Sequence, residues 1–456
     1  MAHDDFHRDI EMARRIAERA AQRGGRTFYV GGFVRDALIH RENKDVDIEI
    51  HGLLPAQVAE VLDSLGERLT IGESFGIFGL RGCSVDIAMP RREKLRGSGH
   101  RDFDVSVDPF IGTEKAAVRR DFTINALMQD VLTGEIIDHF GGREDLDKGI
   151  IRHVNDETFA EDPLRVLRAA QFAARFGFAV AEETVELCRG MSLSDLSRER
   201  IEGELKKALL KADKPSVFFE VLREMDRLDE WFPEMKALIG VEQSVKHHAE
   251  GDVWTHTMMV LDAAAQFRSR VENPLGFMLG AAAHDLGKPV CTEVVKGDIH
   301  AYGHEIKGVP IAERFLSRIT NERKLIDYAL NLVRNHMRPN VAVRSGSSVK
   351  STNKMFDEAA DPEALIAMAL SDSLGKLPAG PAEEDEDFLM ERLAVYRELM
   401  ARPAVMGRDL IAAGLKPGSD FTEILAYAHK LHLAGVEKES ALKQTLSYAR
   451  KMRKGK

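Results

Sequence analysis

The chain has 456 residues, of which 44% are hydrophobic and 30% are charged. Its 64 Lys and Arg residues against 74 Asp and Glu residues give a formal net charge of −10 at pH 7. This length predicts about three domains, and the composition is typical of a soluble protein. The negative net charge argues against non-specific binding along nucleic acid, although a basic patch could still hold RNA.

The spacing of the cysteines and the lengths of the apolar stretches indicate the cellular compartment of the protein. Cys83, Cys188 and Cys291 are far apart, which excludes a Cys-x-x-Cys motif and offers no disulfide framework. No segment has the length and apolar character of a signal peptide or a membrane-spanning helix. We therefore expect a cytoplasmic protein with no membrane partner.

The stretch from Phe28 to Ile50 is the first with chemical content, and it follows a predicted amphipathic helix from about Asp5 to Gln22. A short apolar strand runs into Gly31-Gly32 and a helix start, a geometry in which backbone N–H groups can approach a phosphate. Apolar and acidic residues then alternate, which predicts a strand with its carboxylates on one face. The alternating residues are Val46, Ile48 and Ile50 against Asp45, Asp47 and Glu49.

Carboxylates so close repel one another unless a cation joins them, and a divalent metal is the simplest such cation. Glycines that cradle phosphate before a metal-holding Asp-x-Asp favour phosphoryl or nucleotidyl transfer. The alternative is a solvated edge strand with a chance acidic pair.

The next elements extend a mixed α/β pattern. A helix is predicted from Pro55 to Leu65, and two strands from Phe75 to Leu80 and from Ser84 to Met89. In the second of these strands Asp86 lies either beside Asp45 and Asp47 as a third metal-side carboxylate or outward as an edge aspartate. The basic, glycine-bearing segment from Pro90 to His100 is predicted to be a mobile loop.

Two further clusters combine charge with a helix start. Arg119-Arg120-Asp121 is predicted to open an apolar helix, where arginine could clamp a triphosphate or the cluster could simply cap the helix. A helix beginning near Pro163 places Asp162, Arg165 and Arg168 on one arc. An Asp–Arg pair can imitate the base-pairing edge of a nucleotide, and an ordinary surface salt bridge is the alternative. One more strand is predicted over Glu135–Asp138, and beyond Ile151 the sequence is almost wholly helical.

Together these residues resemble the bacterial class II CCA-adding enzymes, the tRNA nucleotidyltransferases related to bacterial poly(A) polymerases. The resemblance covers residues from about 27 to 210. It rests on motifs in the family's order: Gly31-Gly32-Phe33-Val34-Arg35-Asp36, Asp45-Val46-Asp47, Arg119-Arg120-Asp121, Glu161-Asp162-Pro163-Leu164-Arg165, and Arg198-Glu199-Arg200-Ile201 with Glu204.

The resemblance implies a role for each of these motifs. Asp45 and Asp47 would be the catalytic residues and would hold Mg²⁺, and tRNA, CTP and ATP would be the partners. The segment from Arg91 to Phe103 is similar to the flexible loop that the family needs for the terminal A, so we favour addition of full CCA over CC. The residues implied in nucleotide binding are Gly31, Gly32, Arg35, Asp36, Arg119, Arg120, Asp121, Asp162, Arg165 and Arg168, of which Asp162 and Arg165 would template the incoming base.

The second half of the chain carries imidazoles and carboxylates on an apolar helical background. One His, a neighbouring His-Asp pair and a distant Asp suffice to hold a divalent metal with positions open for a phosphate. The segment from Val241 to Lys376 is similar to the HD-type metal-dependent phosphohydrolases. That resemblance implies His256, His284, Asp285 and Asp372 as ligands of a divalent metal of unknown identity, with His304 and His336 supporting a second ion.

The predicted fold class is an α/β head with a small mixed sheet of the nucleotidyltransferase type, followed by a mostly α-helical neck, HD domain and tail. Gly375 to Asp387, with two prolines and an acidic run, is predicted to be a linker. The predicted domains are an N-terminal helix (1–26), the head (27–153), the neck (154–240), the HD domain (241–376) and the tail (388–456).

The predicted function is template-independent addition of CCA to the 3′ end of tRNA from CTP and ATP with release of pyrophosphate. The resemblance also allows phosphatase, 2′-nucleotidase and 2′,3′-cyclic phosphodiesterase activity in the HD domain, or a merely tRNA-binding HD domain. One alternative function is a poly(A) polymerase of the same superfamily. Another is a tRNA-end phosphohydrolase whose head only binds RNA.

Overall fold

The structure is a computed structural model that describes residues 2–41, 45–69, 76–95, 103–246, 248–380 and 382–454. It divides into two compact units, each with its own core. The first comprises Met1–Ala208 and Val217–Glu230, and the second Leu209–Ser216 and Trp231–Lys456. The finer division into five parts stays a prediction.

The first unit combines strands with short helices, as expected for an α/β head. Its strands are β1 (Arg26–Val30), β2 (Val46–His51), β3 (Arg68–Leu69), β4 (Ile77–Leu80), β5 (Val85–Ala88), β6 (Arg91–Leu95), β7 (Phe103–Val107), β8 (Met128–Asp130), β9 (Ile136–Ile137), β10 (Ile150–Ile151) and β11 (Ala179–Val180). Its helices are α1 (Ala2–Ala21), α2 (Gly32–Leu38), α3 (Pro55–Asp63), α4 (Thr113–Ala117), α5 (Gly142–Lys148), α6 (Asp156–Ala160), α7 (Leu164–Phe176) and α8 (Glu182–Arg189); α9 (Arg198–Lys211) and α10 (Ser216–Glu224) follow.

The main sheet has seven strands in the order β3-β4-β5-β2-β1-β8-β9. Strand β1 lies between β2 and β8 and is antiparallel to both, whereas β2 and β5 are parallel, so the sheet is mixed as predicted. Helix α1 packs against β1 through the apolar residues that its spacing placed on one face: Ala13, Ile16, Ala17 and Ala20. This arrangement puts β2, with its alternating carboxylates, at the centre of the sheet.

The prediction that Arg119-Arg120-Asp121 opens an apolar helix was wrong. Only a 3-10 turn, Thr123–Asn125, follows, and the chain then enters β8, which pairs with β1. The Asp121 carboxylate accepts hydrogen bonds from the backbone N–H of Phe122 and from the Asn125 side chain, and such bonds favour a turn over a helix. The apolar residues that suggested a helix instead complete the sheet.

The basic segment after Pro90 was predicted to be a loop, but the parts of it that the structure describes are strands. They are β6 and β7, which pair as an antiparallel ribbon from Arg91↔Val107 to Leu95↔Phe103. Cross-strand pairing of residues so far apart in sequence is invisible to local patterns. The part of the predicted loop from 96 to 102 lies outside the described residues, as does Lys44 beside the Asp-x-Asp.

The second unit is a helical assembly with one small hairpin, β12 (Glu293–Val295) with β13 (Asp298–His300), that the helical prediction missed. Helix α13 is apolar on all sides because helices surround it. The helices are α11 (Pro233–Lys236), α12 (Val253–Phe267), α13 (Pro274–Ala283), α14 (Lys288–Cys291), α15 (His304–Ile319), α16 (Arg323–Asn335), α17 (Met337–Ser345), α18 (Val349–Glu358), α19 (Pro362–Leu374), α20 (Ala382–Ala401), α21 (Gly407–Ala412), α22 (Phe421–Leu433) and α23 (Lys438–Lys454).

The predicted linker from Gly375 to Asp387 is only partly irregular. Its acidic run begins α20, where Glu383, Glu384 and Asp385 occupy the first turn. Carboxylates at a helix N-terminus are stabilised by the helix dipole, so the composition that suggested a linker favours a helix start here. Among the described helices of both units, none has the length and apolar character to cross a membrane.

Candidate functional site

Carboxylates from two parallel strands meet at one face of the head sheet. Asp47 on β2 is the register partner of Asp86 on β5, and Asp45 immediately precedes β2. Burial, followed by the charges of Asp86 and Asp45, raises the pKa of Asp47 above its usual value. The register places Asp86 beside Asp47, which is one of the two arrangements that the sequence left open.

Asp47 and Asp86 border a cavity of about 370 Å³ whose lining also includes Arg119 and Arg120. Besides burial, the charges of Asp86 and Asp45 raise the pKa of Asp47, so this group carries surplus negative charge, and carboxylate oxygens are the ligands that Mg²⁺ prefers. The residues present therefore fit a divalent cation at the carboxylates and an anionic group at the arginines.

Glu49 follows Asp47 on the same face of β2 but has a different task. Its side chain is 1% exposed and lies 3.4 Å from Nη2 of Arg119 and 3.6 Å from Nη2 of Arg120. His51 Nε2 is 2.8 Å from its Oε1. Although burial opposes ionisation, the hydrogen bond with His51 and the charge of Arg120 lower the pKa of Glu49 to about 2. Glu49 thus anchors the two arginines, a role that sequence analysis missed.

Gly31 allows this arginine pair to approach the backbone. Its φ is +64°, a conformation that L side chains rarely adopt, and a Cβ built on it would lie 3.3 Å from Nη1 of Arg120. Gly32 begins α2 directly afterwards. The double glycine therefore keeps one wall of the arginine site free of side chains.

Arg35 and Asp36 lie in the interior, at 4% and 3% exposure. Arg35 donates to the Asp36 carboxylate at 2.7 Å and to the Asn125 amide oxygen at 2.6 Å, and its guanidinium lies 4.6 Å from the ring centre of Phe176. These contacts tie α2 to the turn that follows Asp121. They support a positioning role, and a direct contact of Arg35 or Asp36 with nucleotide stays a prediction.

Asp121 continues the same network toward α7. It accepts from the Asn125 side chain at 2.9 Å and from Nε of Arg168 at 2.7 Å. Asn125 thereby joins Arg35 to Asp121, and Asp121 joins Asn125 to Arg168. The chain of bonds connects three motifs that are widely separated in sequence.

Asp162 and Arg165 are held by different groups. Both oxygens of Asp162 accept from Nη2 of Arg200 on α9, at 2.9 and 2.8 Å. Arg165 instead donates to the backbone carbonyls of Thr158, at 2.5 Å, and Arg119, at 2.6 Å. Pro163 stands between Asp162 and the helix start at Leu164, so the two side chains do not follow one regular helical arc.

Arg200 was part of a recognised motif, but sequence analysis gave it no role. Its guanidinium binds both oxygens of one carboxylate, a geometry that fixes the orientation of the carboxylate as well as its charge. The sequence signal for this role was the pair of arginines at positions 198 and 200. Two arginines at the start of a helix point in different directions, so one of them can face the segment that precedes the helix.

The HD residues of the second unit converge in its core. His256, His284, Asp285 and His336 are each 1% exposed or less. Two sets have donor atoms within 4.8 Å of one another: His256, His284 and Asp372 form the first, and Asp285, His304 and His336 the second. The structure therefore brings together all six residues that the HD resemblance implied.

The imidazoles of this cluster are oriented by their second nitrogen. Nδ1 of His284 lies 2.8 Å from the carbonyl of Ala281, and Nδ1 of His336 lies 2.7 Å from that of Val333. Nδ1 of His304 lies 2.7 Å from the carbonyl of Ala301. Hydrogen bonds from Nδ1 leave Nε2 as the acceptor, which is how metal-binding histidines are usually held.

Two observations test whether these residues fit a metal. Nε2 of His284 is buried and lies 3.2 Å from Oδ2 of Asp285, without the geometry of a hydrogen bond among the described residues. Burial and the charge of His284 lower the pKa of His336 to about 3, so its imidazole is neutral, the form that binds a metal. Both observations fit a divalent cation at this cluster.

Sequence analysis missed Glu250, whose buried carboxylate lies behind His256. Its Oε1 is 3.0 Å from Nδ1 of His256 and 2.8 Å from Nδ1 of His248. A carboxylate behind a metal-binding imidazole raises the basicity of that ligand. No local pattern marked this residue, because it lies in an irregular segment before α12.

Three family models match successive parts of the chain. The poly A polymerase head domain matches residues 27–152, the probable RNA and SrmB-binding site of polymerase A matches 177–239, and the HD domain matches 253–377. The multifunctional CCA protein of Actinobacillus pleuropneumoniae is 38% identical over 316 residues, 68% of this chain and 74% of the relative. This chain belongs to the multifunctional CCA protein family.

A second multifunctional CCA protein, from Nitrosococcus oceani, is 35% identical over 399 residues, 85% of this chain and 93% of the relative. The family assignment confirms the resemblance on which the sequence analysis relied. Its motifs therefore lie in a chain that matches such proteins over most of their length.

Solved structures show the same fold. The CCA-adding enzyme of Bacillus stearothermophilus in complex with CTP has a TM-score of 0.65 at 22% identity, covering 98% of this chain and 99% of that one. The Thermotoga maritima CCA-adding enzyme complexed with tRNA has a TM-score of 0.64 at 20% identity, covering 96% and 95%. The predicted fold class is confirmed.

Proposed function

We propose that this chain adds CCA to the 3′ end of tRNA from CTP and ATP, with release of pyrophosphate, at the cavity bordered by β2 and β5. The observation that supports this most directly is the register pair Asp47 and Asp86, which lines that cavity together with Arg119 and Arg120, while the charge of Asp45 also acts on Asp47. The membership in the multifunctional CCA protein family supports the same reaction.

Asp45 and Asp47, joined by Asp86, would hold the divalent ion, which we expect to be Mg²⁺. When bound, the ion supplies charge neutralisation of the triphosphate and activation of the attacking tRNA hydroxyl. Arg119 and Arg120 bind the triphosphate, and Glu49 keeps both guanidinium groups in place before the substrate arrives.

Asp162, Arg165 and Arg168 would select the base. A carboxylate only accepts hydrogen bonds, and cytosine and adenine each carry an exocyclic amino group where uracil and guanine carry an oxygen. Asp162 held toward the incoming nucleotide therefore favours CTP and ATP. Arg200 supports this reading because it fixes both oxygens of Asp162.

The deciding experiment supplies tRNA that ends at the discriminator base with CTP alone, ATP alone or both. We expect addition of two C residues with CTP alone, no extension with ATP alone, and one further A with both. Replacement of Asp45 and Asp47 by Ala should abolish incorporation while the protein stays folded by circular dichroism. Extension by ATP without prior C would instead identify a poly(A) polymerase, and wild-type incorporation by the double variant would refute the site.

The same assay tests the predicted choice of full CCA over CC. The loop that suggested it lies partly outside the described residues, so that choice stays a prediction. Addition of the terminal A would support it, and arrest after CC would refute it. The cytoplasmic location also stays a prediction.

A second activity, metal-dependent phosphohydrolysis at the HD cluster, is favoured by the convergence of His256, His284 and Asp372 with Asp285, His304 and His336. One water would open a 2′,3′-cyclic phosphate by adding across one P–O bond, which leaves a phosphomonoester and a free hydroxyl, and a second water would hydrolyse the monoester to inorganic phosphate and the second hydroxyl. We expect release of inorganic phosphate that depends on Mn²⁺ or Ni²⁺ and is lost in His284→Ala, while CTP incorporation persists. Release that survives His284→Ala would place the activity elsewhere, and no release by the wild type would leave the HD domain a tRNA-binding element.

A further inference from the structure

A solvent-exposed aromatic pair lies at the cavity beside the HD cluster. The rings of His300, at the end of β13, and Tyr302 stack with their centroids 4.8 Å apart and their planes 11° from parallel. Both residues line a cavity of about 270 Å³ that is also lined by Asp285 and His304. Tyr302 nevertheless stays 66% exposed, so packing in the core does not explain its position.

The other lining groups of this cavity have the chemistry of a phosphate site. Lys288, Arg344 and Lys376 all contribute to its wall. Lys288 is held in place, because its Nζ lies 2.6 Å from Asp285 Oδ2 and donates to the Gln243 amide oxygen at 2.6 Å. The cavity thus combines cationic groups near the HD cluster with an aromatic face at its mouth.

The size of the cavity indicates how a nucleotide would be divided between these two parts. Its volume lies just below the usual range of about 300–1,000 Å³ for small-molecule pockets, so it has room for a ribose phosphate and leaves the base at the mouth. The exposed ring of Tyr302 lies there. Stacking of a base on an aromatic side chain tolerates any base sequence, because every base has a π face.

We propose that Tyr302, backed by His300, is the platform on which the base of an RNA 3′-terminal nucleotide stacks while its phosphate lies at the HD cluster. This proposal rests on the phosphohydrolase function proposed above. It assigns the HD cavity a preference for nucleotide phosphates over base-free phosphate esters, without selection among the bases.

The test compares two phosphomonoesters, 2′-AMP and glycerol 2-phosphate, with Tyr302→Ala, Tyr302→Phe and the wild type as full-length proteins. For 2′-AMP, Tyr302→Ala should raise KM by roughly tenfold with little change in kcat, and Tyr302→Phe should keep the wild-type KM. For glycerol 2-phosphate all three proteins should be alike. Val294→Ala is the matched control, because Val294 is exposed on the same hairpin and is not among the lining residues.

Binding of 3′-AMP by calorimetry in the presence of EDTA supplies a readout that needs no hydrolysis. The variants share the same head, so a roughly tenfold weaker signal confined to Tyr302→Ala supports the platform. Equal KM values for 2′-AMP in the wild type and Tyr302→Ala, or equal losses on both esters, would overturn it. If the wild type hydrolyses neither ester, the phosphohydrolase function fails, and the calorimetric comparison still decides the stacking.

Discussion

Asp47 and Asp86 are register partners on parallel strands, and their mutual repulsion, added to burial, raises the pKa of Asp47. The fold therefore creates a site that is electrostatically unfavourable until a cation joins it. Asp86 lies almost forty residues beyond the Asp-x-Asp in the sequence, yet the parallel pairing of β2 and β5 makes it part of the same group.

Asp86→Asn should reduce CTP incorporation by at least roughly a hundredfold and raise the Mg²⁺ concentration needed for half-maximal rate, because one oxygen donor loses its charge. The measurement is a magnesium titration of incorporation into tRNA that lacks CCA. Asp63→Asn, on the exposed end of α3, is the control. An unchanged magnesium requirement would show that Asp86 is an ordinary edge aspartate.

Gly31→Ala should impair incorporation more than Gly24→Ala. Both glycines have positive φ, so both substitutions carry a backbone cost of about 1–2 kcal/mol, but only the Cβ at Gly31 would press on Arg120. We expect a KM for CTP at least severalfold higher in Gly31→Ala alone. If the two variants have the same KM for CTP, the short distance between Gly31 and Arg120 does not affect CTP binding.

Arg200→Ala should release Asp162 and weaken discrimination among bases. We expect kcat/KM for CTP to fall by roughly tenfold and misincorporation of UTP to rise, since the loss of a bidentate charge-assisted pair costs about 1.5–3 kcal/mol. Competition assays with labelled CTP and UTP measure both effects. Lys206→Ala, an exposed change on the same helix, should leave the ratio as it is. Undiminished selectivity in Arg200→Ala would argue that Asp162 needs no external support.

Glu250→Gln should lower the affinity of the HD cluster for its metal by roughly 10–100-fold, because the carboxylate behind His256 is replaced by a neutral amide. Phosphate release measured against Mn²⁺ concentration gives the shift, and saturating metal should restore most of the rate. Glu272→Gln, at an exposed position of the same unit, is the control. A loss that excess metal cannot restore would contradict a positioning role.

Asp121 should contribute to stability in a way that depends on pH. Burial opposes its ionisation, but Arg168 and the bonds from Asn125 and Arg168 lower its pKa below the usual value. A carboxyl with a lower pKa in the folded chain stabilises the fold above its unfolded pKa, about 3.9, and loses that contribution as the pH falls through its folded pKa.

Asp121→Asn should therefore lower the free energy of unfolding of the first unit by about 1–3 kcal/mol at pH 7, and its unfolding temperature with it. The difference in unfolding temperature between the wild type and the variant should become smaller toward pH 3.5. Calorimetric scans at both pH values measure this, and exposed Asp147→Asn is the control. Both tryptophans, Trp231 and Trp254, belong to the second unit, so its fluorescence transition should not move. A gap that is constant with pH would rule out the proton-linked contribution.

Local patterns in the sequence were sufficient to predict the local features of this chain. Alternation of apolar and acidic residues identified β2 and its carboxylates, because a strand exposes alternate residues on opposite faces. Gly31 and the His284-Asp285 pair indicated a phosphate site and a metal site, because few other roles require these residue types within so short a motif. The motifs together were sufficient to reach the family and the fold class.

The contacts between distant side chains could not be predicted in this way. Parallel pairing brought Asp86 to Asp47, and the turn after Asp121 gave Asn125 its place between Arg35 and Asp121. Both oxygens of Asp162 accept from Arg200, 38 residues away in the sequence. Such contacts depend on how whole elements pack, and a local pattern carries no information about the element that will lie opposite.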